Sequence, residues 1–181
     1  MKILITGTCG FIGFNLAKKF LESNVKFKII GIDNFDNYYS IKLKKKRLAI
    51  LKSYKNFKFT KLDIVDKKKT EIFVKKKKFD YVIHLAAQAG VRYSLIDPKK
   101  FIDVNLIGYI NLLDALVKNK PKKIFYASSS SVYGDNDKFP LKETEKLSPK
   151  NIYGVSKKLN EIISKYYSKK YDIKMVGMRF F

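Results

Sequence analysis

An apolar run, Lys2-Ile3-Leu4-Ile5-Thr6, leads directly into Gly7-Thr8-Cys9-Gly10-Phe11-Ile12-Gly13, and no other stretch limits the fold so strongly. A strand that ends in glycines and opens a helix builds a phosphate site. Gly7 permits a tight turn that a side chain would forbid, Gly10 lets backbone approach a pyrophosphate, and Gly13 lets the helix lie close on the strand. The helix expected from about Phe11 to Ser23 aims its unpaired N–H groups, those of Phe11 and Ile12 among them, and its positive dipole end at the anion. About twenty residues on, a second strand, Phe27 to Asp33, ends in an acid. The Asp33 carboxylate, with Asn34 beside it, is placed to accept both hydroxyls of an adenosine ribose and would repel a 2′-phosphate. NAD is therefore expected as the cofactor, rather than NADP.

The remaining chain alternates strand and helix. A lysine-rich helix is expected to run to about Lys52 and a third strand from Asn56 to Leu62. Next come a helix from Lys67 to Lys78, with Ile72, Phe73 and Val74 inward, and a fourth strand from Phe79 to Leu85. One long helix is expected from about Lys99 to Asn119, closed by Pro121. A fifth strand follows from Lys123 to Ala127, then a helix from Ile152 to Tyr171 and a sixth strand from Ile173 to Met178. Mostly apolar strands separated by helices predict a doubly wound parallel sheet of the Rossmann type, in three layers, with right-handed crossovers. Residues 1–181 are read as one dinucleotide-binding domain. Ligands then lie beyond the carboxyl ends of the strands, where the loops 7–13, 33–37, 84–92 and 127–134 converge.

The net charge of +23 at first suggests nucleic acid. The lysines are spread through every segment, however, and there are only three arginines, Arg47, Arg92 and Arg179. Phosphate readers favour the bidentate arginine fork, so the charge reads as compositional drift and no nucleic-acid partner is expected. No apolar run approaches the length of a membrane span. A single cysteine, Cys9, and no charged-then-apolar leader fit a reducing cytoplasm. His84, a lone histidine, is expected to support neighbours that touch ligand, and no metal site is expected.

Tyr153 and Lys157 stand at i and i+4 and share a helix face. A tyrosine titrates near pH ~10 and is a poor base at neutrality. A neighbouring ammonium and a positive nicotinamide ring both favour the phenolate, so the pair is suited to exchange a proton with a sugar hydroxyl while hydride moves to the cofactor. A hydroxyl from the run Ser128-Ser129-Ser130-Ser131 would complete the hydrogen bonds to the reacting oxygen.

Together these motifs resemble the extended short-chain dehydrogenase/reductases of the nucleotide-sugar epimerase/dehydratase group. The stretches Asp33 to Tyr39, His84 to Ser94 and Tyr126 to Gly134 are most similar to those of UDP-glucuronate 4-epimerases. The resemblance implies that Ser129, Tyr153 and Lys157 are catalytic, and that Lys157 also binds the nicotinamide ribose. It places Asp63 and Ile64 near the adenine and Leu85, Ala86 and Ala87 beside the cofactor. Sugar-nucleotide 4,6-dehydratases carry an Asp-Glu pair after the catalytic Ser/Thr, and decarboxylases a glutamate at the second position; here Ser130 and Ser131 stand instead. Two neutral donors are compatible with holding a substrate carboxylate intact. Arg92 is expected either to add charge to that substrate site or to anchor its loop.

The activity so implied is reversible redox at C4 of a UDP-sugar, UDP-glucuronate to UDP-galacturonate, through a 4-keto sugar and without net use of NAD. A homodimer through the helices that follow the fourth and fifth strands is implied as well. Members of the group continue into a smaller carboxyl-terminal substrate region, whereas this sequence ends at Arg179-Phe180-Phe181. The expectation is therefore a piece of a longer enzyme, or a short product that binds NAD without turnover. Net release of NADH by a dehydrogenase is a third reading.

Overall fold

A computed structural model describes residues 1–136 and 139–181. Six strands, β1 (Lys2–Thr6), β2 (Lys28–Asp33), β3 (Phe57–Lys61), β4 (Tyr81–His84), β5 (Lys123–Ser129) and β6 (Met175–Phe180), form one sheet in the order β3-β2-β1-β4-β5-β6. Every pairing is parallel. The order reverses between β1 and β4, and that switch point opens a crevice at the carboxyl edge.

Alternation along the strands assigns the two faces. Ile3, Ile5, Ile29, Phe57 and Ile83 turn toward α1 (Phe11–Glu22) and α2 (Ile41–Lys52), meeting Ala17, Leu48 and Leu51. Leu4, Ile30, Ile32, Val82 and Ile124 turn the other way. They pack on α3 (Lys67–Lys75) and α5 (Tyr109–Val117), with Ile163, Tyr167 and Tyr171 of α6 (Ile152–Tyr171) around them. Three layers result, as the succession of apolar strands and helices predicts.

Helix starts follow side-chain chemistry. Ser40, Asp66 and Asn151 each accept a backbone N–H three residues on, from Leu43, Lys69 and Gly154. Two details differ from expectation. In α3 the inward positions are Thr70, Phe73 and Val74, while Ile72 is exposed, since it lies off the stripe that Thr70 and Phe73 define at i, i+3.

The expected long helix is also divided: α4 (Pro98–Ile102) passes into a π-helical turn, Asp103–Gly108, before α5, which stops at Val117 ahead of Pro121. Buried Asn105 explains the break. Its amide grips the Gln88 backbone, accepting from the N–H at 2.8 Å and donating to the carbonyl at 3.1 Å. Its own carbonyl accepts from Asn160 Nδ2 at 2.6 Å, outside the helical ladder.

Candidate active site

Gly7 takes φ +68°, and a Cβ there would lie 2.8 Å from the Ala86 nitrogen. A Cβ on Gly13 would come within 2.2 Å of the Gly7 carbonyl oxygen. Only glycines make this turn. Gly10 caps α1 without a side-chain acceptor, so the first-turn N–H groups face the cleft lined by Gly10, Phe11, Ile12 and Gly13. Asp33 is buried at the end of β2, accepting from Cys9 N–H at 3.0 Å and from Phe35 N–H at 2.9 Å, one bond to each oxygen. Each oxygen keeps acceptor capacity for a ribose hydroxyl. Asn34 Nδ2 donates to Asp63 at 3.0 Å, tying the β2 loop to the β3 loop.

These groups bound a cleft of about 660 Å³. The expected residues Gly7, Asp33, Asn34, Asp63, Ile64, Leu85, Ala86 and Ala87 all line it, with the four from the glycine turn. A glycine cradle that no Cβ could enter, a helix start without a capping side chain and a buried carboxylate with free lone pairs fit the pyrophosphate and ribose of a dinucleotide.

Asp36, Gln88 and Ala89 line the cleft from within the expected loops 33–37 and 84–92, whereas Tyr38 and Tyr39, with Leu43, Lys44 and Arg47 from α2, lie outside the expected loops. Arg47 donates to the Cys9 carbonyl at 3.3 Å and stands 5.9 Å from the Phe11 ring centre. Ser40, Lys44 and Arg47 repeat at helical spacing on the cleft side, a signal present in the sequence but hidden among neighbouring lysines.

Ala127, on β5, also lines the cleft, and its carbonyl accepts from Lys157 Nζ at 2.9 Å. Through it the second expected cluster adjoins the first, although Ser129, Tyr153 and Lys157 do not line the cleft themselves. Lys157 is only 3% exposed, and burial pushes its ammonium down to about 8. It sits 5.9 Å from the Tyr153 ring centre. Burial pushes the Tyr153 phenol up, and a hydrogen bond with Ser129 opposes it. Among the protein's own groups, desolvation is the larger influence on this phenol. Ser129 donates to Ser131 Oγ and accepts from Ser131 N–H, both at 3.2 Å, in the turn Ser130–Val132. Arg92 is exposed and does not line the cleft. It begins the single turn Tyr93–Leu95.

A half-buried ion pair, absent from the sequence-based expectations, supports the serine run. Arg179 of β6 meets both oxygens of Glu161 on α6 at 2.9 Å, and Ser128 donates to the same carboxylate at 2.6 Å. Although burial pushes the Glu161 carboxyl up, Arg179 and Ser128 hold it below the usual range. Arg179 also donates to the Tyr133 hydroxyl at 2.8 Å. Only the fold brings these four residues together, so spacing could not reveal them.

Buried Lys157 carries a stability cost. Displacement from 10.5 to about 8 disfavours the folded state by on the order of 3 kcal/mol below pH 8, and the cost fades as pH rises to 10.5 because the folded protein releases this proton near pH 8 while the unfolded chain keeps it up to about 10.5. K157M should therefore raise the unfolding free energy at pH 7 by ~1–3 kcal/mol, with the gain gone near pH ~10.5. Urea denaturation across that range checks it.

His84 behaves as a structural group. Its Nδ1 lies 2.8 Å from Thr6 Oγ1, which accepts from Leu85 and Ala86 N–H, and its ring stacks on Tyr109 at 4.8 Å. Burial, with the Lys157 charge, pushes the imidazole down to about 3. The unfolded chain takes the proton first as pH falls below 6.5, so stability drops between there and about 3. The loss should reach about 2 kcal/mol by pH ~5 and be missing from H84Q, as unfolding midpoints would read.

Among the described residues no helix is long and apolar enough to cross a membrane. Residues 4–181 match the family model described as GDP-mannose 4,6 dehydratase. An uncharacterized protein of Methanocaldococcus jannaschii is 45% identical over 99% of this chain and 55% of its own length. A probable UDP-glucuronate 4-epimerase of Rhizobium meliloti is 38% identical over the whole chain and 53% of its own. The solved UDP-glucuronic acid 4-epimerase of Bacillus cereus, in complex with UDP-glucuronic acid and NAD, superposes with a TM-score of 0.91 at 33% identity, over 99% of this chain and 56% of that one. The chain thus spans about half the length of the relatives it matches.

Proposed function

Because this chain belongs to the GDP-mannose 4,6-dehydratase family, we propose that residues 1–181 are the NAD-binding Rossmann domain of a nucleotide-sugar 4-epimerase, which interconverts UDP-glucuronate and UDP-galacturonate through a 4-keto sugar. One observation carries the reading: Ala127 lines the cleft that fits a dinucleotide, and its carbonyl holds the lysine of a Tyr-Lys pair.

Bound in that cleft, the nicotinamide would accept a hydride from C4 and give it back. The protein's part is orientation and proton transfer. Tyr153 takes the C4 hydroxyl proton and returns it, acting as base and then acid. Its burial raises the phenol, so its action as a base depends on the positive charge of the oxidised cofactor together with the Lys157 ammonium. Ser129, buried at the strand end, holds the reacting oxygen. Ser130 and Ser131 offer neutral donors to a sugar carboxylate.

A UDP-sugar is the partner in this reading, and the protein acts in the cytoplasm. A homodimer would pair the faces of the π turn and α6, where Ile107, Ile162 and Tyr166 are exposed. Since the chain spans half of its relatives, a second reading stands beside the first: NAD binding without turnover. Incubation with NAD+ and UDP-glucuronate followed by separation of the sugar nucleotides distinguishes them. Formation of UDP-galacturonate without growth of the NADH absorbance supports the epimerase. An unchanged sugar with bound NAD supports the module, and accumulating NADH supports a dehydrogenase.

A further inference from the structure

The β2 loop does more than present Asp33. Downstream of it the chain crosses to the opposite wall of the cleft and is fastened there. Asp36 pairs with Lys100 of α4 at 2.8 Å, both side chains being about a quarter exposed. The Asp36 backbone carbonyl accepts from Lys44 Nζ at 2.7 Å, and its carboxylate accepts from Tyr38 N–H at 2.9 Å. The Tyr38 ring packs 4.9 Å from that of Tyr93. Its hydroxyl seats on Gly90, where φ is +107° and a Cβ would lie 2.2 Å away. Lys100 stands 5.6 Å over Tyr93, joining the charged and aromatic contacts. Asp36, Tyr38 and Tyr39 line the cleft from this side, facing Gln88 and Ala89. The Tyr39 phenol is pushed up by burial and then by Tyr38 and Tyr153.

We infer that Asp36, Tyr38 and Lys100 are positioning residues that fasten residues 34–40 as a strap across the dinucleotide, and that opening this strap limits cofactor release. The inference rests on the proposed function. Hydride that leaves C4 must return to the same sugar, so a dinucleotide that departs between the two transfers ends the cycle incomplete. Contacts between two protein walls, with none required to the cofactor, slow departure because they must break before the ligand passes. The Asp36 carboxylate already accepts from Lys100 and Tyr38, so its role runs through the opposite wall.

The test is the rate at which the protein, loaded with NAD+ and freed of excess, loses it to a chase of unlabelled NAD+. D36A and K100A should each release about 10-fold faster, the size expected for a partly buried pair. The exchange D36K/K100D should restore slow release by rebuilding the pair in reverse, and Y38F should accelerate it by loosening the Gly90 seat. A thermal melt of each variant without NAD+ separates release from unfolding. If D36A and K100A keep the wild-type rate, or if the double exchange fails to slow release while melting like wild type, the strap is overturned and the proposed function stands. If the wild-type protein retains no NAD, both are overturned.

Discussion

Replacing Tyr153 with phenylalanine should cut the rate of C4 epimerisation by about 10²–10⁴-fold, the range for loss of a positioned acid/base. Binding of NAD should change little. The ring would stay edge-on to Phe101 at 6.1 Å, and Lys157 would stay on the Ala127 carbonyl at 2.9 Å, since neither contact uses the hydroxyl. Only the phenol and its bond to Ser129 are lost. Rates from sugar-nucleotide chromatography beside calorimetric NAD binding give both quantities. Loss of binding equal to the loss of rate would place Tyr153 in the fold's support instead of the chemistry.

The second large effect lies at the glycine turn that lines the cleft. In G13A the new methyl would sit 2.2 Å from the Gly7 oxygen and 2.9 Å from its carbonyl carbon. Both are backbone atoms of a residue already at φ +68°, so no rotamer relieves the clash. The helix must leave the strand or the turn must open, at a cost of about 3 kcal/mol or more. NAD binding should be lost in calorimetry, and thermal unfolding should shift down by ~5–10 °C or more for a domain of this size. Alanine at Gly10, where a Cβ would meet only the Gly7 oxygen at 3.1 Å, should be much milder.

Where a property depends on local pattern, the sequence carries it. β1, β2 and β4 are apolar runs that end in Gly or polar residues, and α6 spans the expected Ile152–Tyr171 because Asn151 caps it and Asp172 ends it at φ 53°. The glycine turn and its acid were legible for the same reason: each is a steric or charge demand on one short stretch. Features that arise between distant segments were not. Asn105 breaks a helix by reaching Gln88 and Asn160, contacts that no periodicity encodes. Arg179 and Glu161, eighteen positions apart on different elements, meet only once β6 lies beside β5. The Tyr-Lys spacing indicated a shared helix face but not the balance of forces, since the desolvation that raises Tyr153 and lowers Lys157 depends on what covers them. Arg92, in a suggestive stretch, stands exposed at the start of the turn Tyr93–Leu95.

The central claim is that hydride leaves C4 and comes back to it within one cleft. UDP-glucuronate carrying deuterium at C4, incubated in ordinary water with the protein and NAD+, tests this most directly. Mass spectrometry of the UDP-galacturonate formed should show the label retained. Product that has exchanged its C4 deuterium for solvent hydrogen would contradict the account.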